Sequence, residues 1–324
     1  MLVIGIESSA HTFGVGIVDN GRMLANEKMM YDVGSRGMIP AKVAETHVKN
    51  ASTVIKMALD KAGVTMKEIE GVGYTKGPGI GACLQIGQLS AKTIANALGV
   101  GIVPVNHAVA HVEITKHESG LKDPIALYVS GGNSQILKMA DSPFKHYQIL
   151  GETFDVGIGN MLDAFAREIR LKPAWGSTVA KLAEKGSYVP MPYTVKGMDF
   201  AFTGLLTYAS SLAGKKSNED LCYSIQETSF SMLCEATERA LLLTNSDELE
   251  VCGGVAQSTR LQEMLRCVCK EHGFQFGAAR NEYNADNGGM IAYVAERMLK
   301  DDRGEPLGRC DIQQRYRIDK AIVV

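Results

Sequence analysis

P-I-A-L-Y-V-S-G-G-N-S-Q-I-L-K-M-A, running from Pro124 to Ala140, decides how the rest of the chain is to be read. Ile125 to Val129 is an apolar run of strand length, S-G-G-N is a turn of small residues, and Gln135 to Met139 is a second strand, with a third at Tyr147 to Leu150. The same order opens the chain. Leu2 to Glu7 is a strand, S-S-A-H-T-F a turn carrying Ser8, Ser9 and Thr12, Gly14 to Val18 a second strand, and Met23 to Glu27 a third beyond the Asp19-Asn20-Gly21 turn. Either hydroxyl-bearing turn could wrap a phosphate with backbone N–H groups, or could simply close a tight hairpin. Two of them, each opening one half of the chain, point to an internal duplication: two similar α/β domains whose turns face each other across a cleft.

Length agrees with that division. A chain of 324 residues exceeds the usual single-domain range. Two lobes are therefore expected, 1–121 and 122–324, with the final helix and tail, 287–324, able to pack back on the first. A net charge of −2 gives no bulk attraction to nucleic acid or anionic lipid, so a nucleic-acid partner must be met by a local patch or by a basic partner subunit. Seven cysteines without a C-x-x-C pair argue for reduced thiols and against a zinc ribbon. The start M-L-V-I-G-I-E reaches an acidic residue with no basic leader, and no apolar run approaches the ~18 residues of a membrane span. A soluble, cytoplasmic protein is expected.

Outward from the first hairpin, Pro40 opens a helix that stops at Gly63, and Ile69 to Thr75 is a strand leading into K-G-P-G-I-G-A and a helix that ends at Gly99. That glycine-rich loop lacks the G-K-[ST] ending, so it is no P-loop; its glycines let the crossover turn sharply or let another backbone approach. The strand Gly101 to Val105 then runs into V-N-H-A-V-A-H-V-E, Val105 to Glu113. On a helix, His107 and His111 stand one turn apart on one face, close enough to share a cation. Ala108 occupies the position of the base in H-E-x-x-H, which removes the zinc-protease reading. The acidic residue best placed to complete a site is Asp286, in A-D-N-G-G-M, where a late helix begins. The competing view is two polar residues on an ordinary amphipathic helix.

The second half continues with a helix at Asn160 to Ile169 holding Asp163, a helix at Thr178 to Glu184, and an aromatic and basic loop, Y-T-V-K-G-M-D-F-A-F-T-G. A long helix, Asp220 to Leu243, leads to the strand Leu249 to Cys252, which breaks at Gly253-Gly254 before the helix Thr259 to Lys270. The helix Met290 to Lys300 and a polar tail complete the chain.

Taken together, G-I-E-S-S, K-G-P-G-I-G, N-H-A-V-A-H-V-E, L-Y-V-S-G-G-N, G-I-G-N-M-L-D-A-F-A-R, V-K-G-M-D-F-A-F-T-G, C-Y-S-I-Q-E-T-S-F, G-G-V-A and A-D-N-G-G-M-I-A resemble the tRNA N6-adenosine threonylcarbamoyltransferases. L-Y-V-S-G-G-N and K-G-M-D resemble the archaeal and eukaryotic branch, the catalytic subunit of the KEOPS complex. The likeness runs from Ile4 to about Arg317. It implies the actin-like and hexokinase-like (ASKHA) fold, α/β, with two lobes each built on a βββαβα unit. The implied reaction moves threonylcarbamoyl from threonylcarbamoyl-AMP to N6 of the adenosine beside the anticodon, in tRNAs reading codons that start with A, and releases AMP. The implied cofactor is one divalent metal, iron or zinc with iron favoured, on His107, His111 and Asp286, with Tyr128 as a further ligand. Implied nucleotide contacts are Tyr128, Val129, Ser130, Gly131, Gly132, Asp163 and Gly176. The implied partners are tRNA, a small kinase-like ATPase, a dimerising subunit and a regulatory subunit, with no membrane. No residue stands out as the general base.

Several positions depart from the family pattern. The usual P-G-G-P-x-x-E is A-W-G-S-T-V-A, so Trp175 replaces a glycine and Ala180 a glutamate expected to bond the ribose; Ser258 replaces a common asparagine and Gln85 an arginine. Loss of the carboxylate forfeits ~1.5–3 kcal/mol if nothing substitutes for it. Two other functions remain in view. A nucleotide-dependent ATPase or phosphotransferase of the same fold would need an acidic base and carboxylate-held Mg²⁺, which a His pair with one Asp fits poorly. A non-catalytic scaffold subunit would keep the fold and metal, and Trp175 and Ala180 favour it.

Overall fold

The computed structural model describes residues 1–32 and 39–323. In chain order these form β1 (Leu2–Glu7), β2 (Thr12–Asp19), β3 (Arg22–Met30), α1 (Pro40–Ala62), β4 (Gly71–Gly77), α2 (Gly81–Leu98), β5 (Gly101–Asn106), α3 (His107–Ser119), β6 (Ile125–Val129), β7 (Ser134–Ala140), β8 (His146–Glu152), α4 (Ile158–Glu168), α5 (Gly176–Ala183), β9 (Val195–Lys196), β10 (Asp199–Phe200), α6 (Thr203–Ser211), α7 (Asn218–Thr244), β11 (Glu248–Cys252), α8 (Thr259–His272), β12 (Gln275–Ala278), α9 (Asn281–Asn284) and α10 (Gly288–Lys300). They fall into two compact units. The first is Met1–Ile114 with Ala140–Tyr147 and Ala285–Val324; the second is Thr115–Met139 with Gln148–Asn284.

The first unit is built on a five-stranded sheet of order β3-β2-β1-β4-β5. β1 runs antiparallel to β2 and parallel to β4, which is parallel to β5. Side chains alternate across a strand, and here the two faces differ sharply in bulk. Ile4, Ile6, Phe13, Val15 and Ile17 pack with Val54 and Ala58 of α1 and Ala91, Ile94 and Ala95 of α2. The other face is lined by glycine. A methyl group on Gly5 would stand 2.1 Å from the Ala292 amide nitrogen, and one on Gly16 would stand 2.3 Å from that of Gly289. The backbone of α10 therefore lies directly on the sheet, with no side-chain layer between.

The second unit repeats the order: β12-β11-β6-β7-β8, with β6 antiparallel to β7 and parallel to β11. The duplication inferred from the two hairpins is thus present strand for strand. Between β8 and β11 the second unit also carries α5, the β9–β10 pair, α6 and α7. Its core joins Ile125, Leu127 and Val129 to Phe165, Phe200, Phe202 and Phe230. α7 begins at Ser217, whose hydroxyl accepts the Asp220 amide, and stops at Asn245 in the left-handed conformation.

Three segments differ from their sequence reading. The stretch read as an aromatic and basic loop contains the short β9–β10 hairpin, closed at Gly197 (φ 65°), and the start of α6; two-residue strands show no alternation to read. β12 is four residues long and escaped notice for the same reason. The tail, polar in composition, buries Cys310, Ile318, Ala321 and Val323. Among the described residues no helix is long and apolar enough to cross a membrane.

Candidate functional site

Asn106, the last residue of β5, turns the strand into α3. Its Oδ1 accepts the amide hydrogens of Ala108 (2.9 Å) and Val109 (3.1 Å), which caps the helix and sets His107 at its first position with His111 one turn on. The two rings meet edge to face, 4.7 Å between centroids. Asp286 immediately precedes the Asn287 cap of α10, whose Oδ1 accepts the Met290 amide at 2.9 Å. Lys28 Nζ on β3 donates to the Asp286 carbonyl at 3.2 Å. Asp286 Oδ1 lies 3.3 Å from His111 Nε2 and 3.5 Å from His107 Nε2, and the three ligand atoms lie within 4.8 Å of one another. All three residues belong to the first unit, whereas the sequence order had suggested one histidine pair from the front half and a carboxylate from the rear. The reason is α10, which returns to the first sheet and brings Asp286 with it.

Behind the cluster stands Glu7, fully buried at the end of β1. Its Oε2 accepts from His107 Nδ1 at 2.9 Å and from Thr75 Oγ1 at 2.7 Å, and its Oε1 accepts the Ser9 amide at 2.5 Å. Burial alone would push the His107 pKa down; the Glu7 and Asp286 carboxylates outweigh it and raise it to about 9. Burial likewise opposes ionisation of Asp286, yet the two imidazoles hold it well below the usual carboxylate range. Burial and the charge on His107 hold His111 below the ordinary histidine value.

This donor set fits a metal. Two imidazole nitrogens and one carboxylate oxygen suit zinc or iron rather than magnesium, and ligands about 2.1 Å from a tetrahedral ion stand roughly 3.4 Å apart, close to the two His–Asp separations. Glu7 accepts the hydrogen bond of His107 Nδ1–H, which fixes the tautomer that would present Nε2 to an ion.

The other motifs of the first unit have been taken up by packing. Ser8, Ser9 and Thr12 are buried, the Ser9 amide goes to Glu7, and the Ser9 carbonyl accepts the Ile80 amide at 2.7 Å. In the K-G-P-G-I-G loop, a methyl group on Gly77 would meet the Gln313 carbonyl at 1.9 Å and one on Gly79 the Ser9 carbonyl at 2.6 Å. The glycines admit the C-terminal tail and the first turn. Gln85 is exposed on α2.

In the second unit the S-G-G-N turn follows Val129. The Ser130 amide donates to the Asn133 carbonyl (2.8 Å) and the Asn133 amide to Ser130 Oγ (3.1 Å). Gly159 and Asn160, at the start of α4, donate to the carbonyls of Ser130 and Gly131. Gly131 and Gly132 are exposed, and nothing lies within 4 Å of a methyl group placed on Gly132. Tyr128 is buried in β6 opposite Cys252, and Gly253 (φ 94°) brings its backbone against the Val129 carbonyl, 2.4 Å from where a methyl would stand. Asp163 on α4 and Gly176 at the start of α5 are joined directly, Gly176 N–H donating to Asp163 Oδ1 at 2.7 Å. Trp175 is the residue before α5 and Ala180 lies within it; Ser258 caps α8, accepting the Leu261 amide. Sequence reasoning passed over Glu7 and Asn106. The signal for Glu7 was an acidic residue closing an otherwise apolar strand, which only a buried partner can stabilise.

A repeated sheet order, with the first unit carrying a histidine–carboxylate cluster at the end of a parallel strand, defines an α/β protein of the actin-like, ASKHA class. Among solved structures, HypF from T. kodakarensis shares this fold with a TM-score of 0.63 at 15% identity, over 93% of this chain and 48% of that one. A family model described as tRNA N6-adenosine threonylcarbamoyltransferase matches residues 22–293. The chain is 42% identical to a protein of that name from Thermofilum pendens, over 99% of this chain and 96% of the relative, and 40% identical to one from Danio rerio, over 99% and 98%. It is 43% identical to a "probable bifunctional tRNA threonylcarbamoyladenosine biosynthesis protein" of Methanobrevibacter smithii, over 99% of this chain and 59% of that protein. The chain belongs to the tRNA N6-adenosine threonylcarbamoyltransferase family.

Proposed function

We propose that this protein transfers threonylcarbamoyl from threonylcarbamoyl-AMP to N6 of the adenosine beside the anticodon, in tRNAs reading codons that start with A. The observation that carries the reading, beyond family membership, is the His107–His111–Asp286 cluster with Glu7 fixed behind it. When bound there, iron (or zinc) supplies Lewis-acid stabilisation of the negative charge that develops as the carbamoyl carbon is attacked and AMP departs. His107 and His111 would ligate through Nε2, His107 giving up its Nε2 proton on binding, and Asp286 would add a carboxylate oxygen.

In the second unit, Ser130 and Asn133 spend their amides inside the turn, so Gly131 and Gly132 are the residues whose N–H groups receive the α-phosphate of the donor. Tyr128 and Val129 shape the floor of that turn. Asp163 orients Gly176 through their hydrogen bond, and with Ala180 at the position of the missing glutamate, Asp163 is the carboxylate left to meet the ribose.

tRNA is the acceptor, and the acidic-to-neutral chain leaves part of the RNA grip to basic companions: a small kinase-like ATPase, a dimerising subunit and a regulatory subunit of the KEOPS type. The name of the M. smithii relative, bifunctional in threonylcarbamoyladenosine synthesis, supports association with other proteins of that synthesis. Seven unpaired thiols suit the reducing cytoplasm.

The test is a transfer assay with the adenylate supplied and an anticodon-stem RNA carrying the target adenosine, run beside a parallel reaction given ATP in place of the adenylate. Modified RNA and stoichiometric AMP are expected. ATP hydrolysis without RNA modification would favour the phosphotransferase reading, and neither activity, with companion proteins present, the scaffold.

A further inference from the structure

We infer that Glu113, Arg297 and Tyr147 are positioning residues of the metal site: they lock α3 to α10 and so hold His107 and His111 at ligating distance from Asp286. The inference rests on the reading of that cluster as a metal centre.

The two halves of the cluster are anchored differently. α10 is seated on the first sheet through glycine, backbone against backbone, which leaves Asp286 little freedom. α3 carries both imidazoles and needs its own attachment to α10. At its start it is capped by Asn106. Two residues beyond His111, Glu113 supplies the second attachment. Its side chain is 3% exposed; Oε2 accepts from Arg297 Nη1 at 3.0 Å and Oε1 from the Tyr147 hydroxyl at 2.5 Å. The guanidinium of Arg297 lies over the ring of Tyr293, 5.8 Å from its centroid, with the Tyr293 hydroxyl 3.4 Å from Nη1.

Arg297 follows Asp286 by 11 residues, roughly 16 Å along α10, while Glu113 follows His111 by about 3 Å along α3. α3 is therefore tied to α10 near both ends of that helix, once through the ligand cluster and once through Glu113. Two such points fix both the separation and the crossing of the helices; one would leave α3 free to pivot about its cap. The chemistry of the second tie matters. Apolar side chains of similar volume would pack at least as stably, but dispersion contacts are non-directional and tolerate sliding. A buried carboxylate held by an aromatic hydroxyl and a guanidinium has fixed distances, and leaving the guanidinium out strands the Glu113 charge in the interior. Ligand distances must hold to within about 0.2 Å, and residues that orient ligands from behind set affinity by about 10–100-fold.

The experiment uses the full chain and cobalt(II), whose visible absorption reports coordination number and geometry. Tyr147→Phe, Arg297→Lys and Glu113→Gln are compared with wild type by chelator competition, by cobalt spectrum, and by the melting temperature of the metal-free protein. Each variant is expected to bind cobalt about 10–100-fold more weakly with an altered spectrum, and Tyr147→Phe to melt within about 3 °C of wild type. A lowered melting temperature with unchanged affinity and spectrum would assign the trio a purely structural role and overturn the inference. The His107→Ala/His111→Ala variant separates the two claims. If it loses cobalt while Tyr147→Phe and Arg297→Lys bind as wild type does, only the positioning role fails. If it keeps wild-type cobalt binding, the metal-centre reading fails and takes the inference with it.

Discussion

Replacing Gly5 with alanine presses on the contact that places Asp286. The new methyl would stand 2.1 Å from the Ala292 nitrogen, 2.6 Å from its Cα and 2.7 Å from the Gly288 carbonyl oxygen. All three atoms are helix backbone, which no rotamer change can move aside. Non-bonded heavy atoms settle near 3.5 Å, so α10 must lift from β1 by roughly 1.4 Å or the strand must sink into its own core. Overpacking of this kind costs ~1–3 kcal/mol, and with every clashing atom in backbone the upper end applies. At ~2–4 °C per kcal/mol, the melting temperature should fall by about 6–12 °C. Asp286 leads directly into α10, so the same lift carries its carboxylate away from two imidazoles that stay with α3, by several times the ~0.2 Å a metal site tolerates. Thermal denaturation with a parallel metal titration reads both effects. A Gly5→Ala protein that melts within ~1 °C of wild type and binds metal equally tightly would refute the direct seating of α10 on the sheet as the source of the site's geometry.

Three further outcomes follow from other contacts. Asp155 accepts the amides of Val156, Phe202 and Thr203, and although burial opposes it, these bonds lower its pKa to about 2. Because the folded value lies below the ~3.9 of an unfolded chain, the contribution is complete above about pH 4 and is lost as pH falls through 2. The shift discounts to ~1 kcal/mol for this exposed group; Asp155→Asn should lose that much at pH 7 and show a shallower decline between pH 4 and 2, and identical acid profiles would contradict the assignment. Asn106 caps α3 with Oδ1 and donates through Nδ2 to the Tyr316 carbonyl at 3.0 Å. Asn106→Ala should cost ~0.5–2 kcal/mol and speed proteolysis within residues 311–323, whereas a tail as protected as in wild type would show that the latch is unimportant. Gly253→Ala places a methyl 2.4 Å from the Val129 carbonyl at φ 94°, so AMP affinity measured by calorimetry should fall at least tenfold; unchanged affinity would remove this turn from the nucleotide site.

The sequence disclosed the architecture because the architecture is repeated. One hairpin with a small-residue turn is ambiguous, but a second in the same order fixed the duplication, and β1-β2-β3 and β6-β7-β8 occupy matching places in their sheets. The His pair was legible because four residues is one helical turn, and Asp286 because it heads a helix. Residue spacing could not say that Asp286 belongs with the first unit, since that depends on where α10 docks. A signal for the docking was present in Gly14 and Gly16, and in Gly71 and Gly73: glycines two apart in a strand bare one face of a sheet. Glu113 and Arg297 were beyond reach, being 184 residues apart with no local pattern linking them. The glycine loop at 76–81 was the reverse case, a phosphate-like pattern whose space is filled by the protein's own tail.

X-ray absorption at the edge of the bound metal, on protein purified without oxygen and assayed in parallel for RNA modification, bears most directly on the proposed chemistry. One ion per chain is expected, with two imidazole nitrogens and at least one carboxylate oxygen in its shell, and with both ion and threonylcarbamoyl transfer lost in His107→Ala/His111→Ala. An ion whose shell lacks imidazole, or a double variant that still modifies RNA at the wild-type rate, would contradict it.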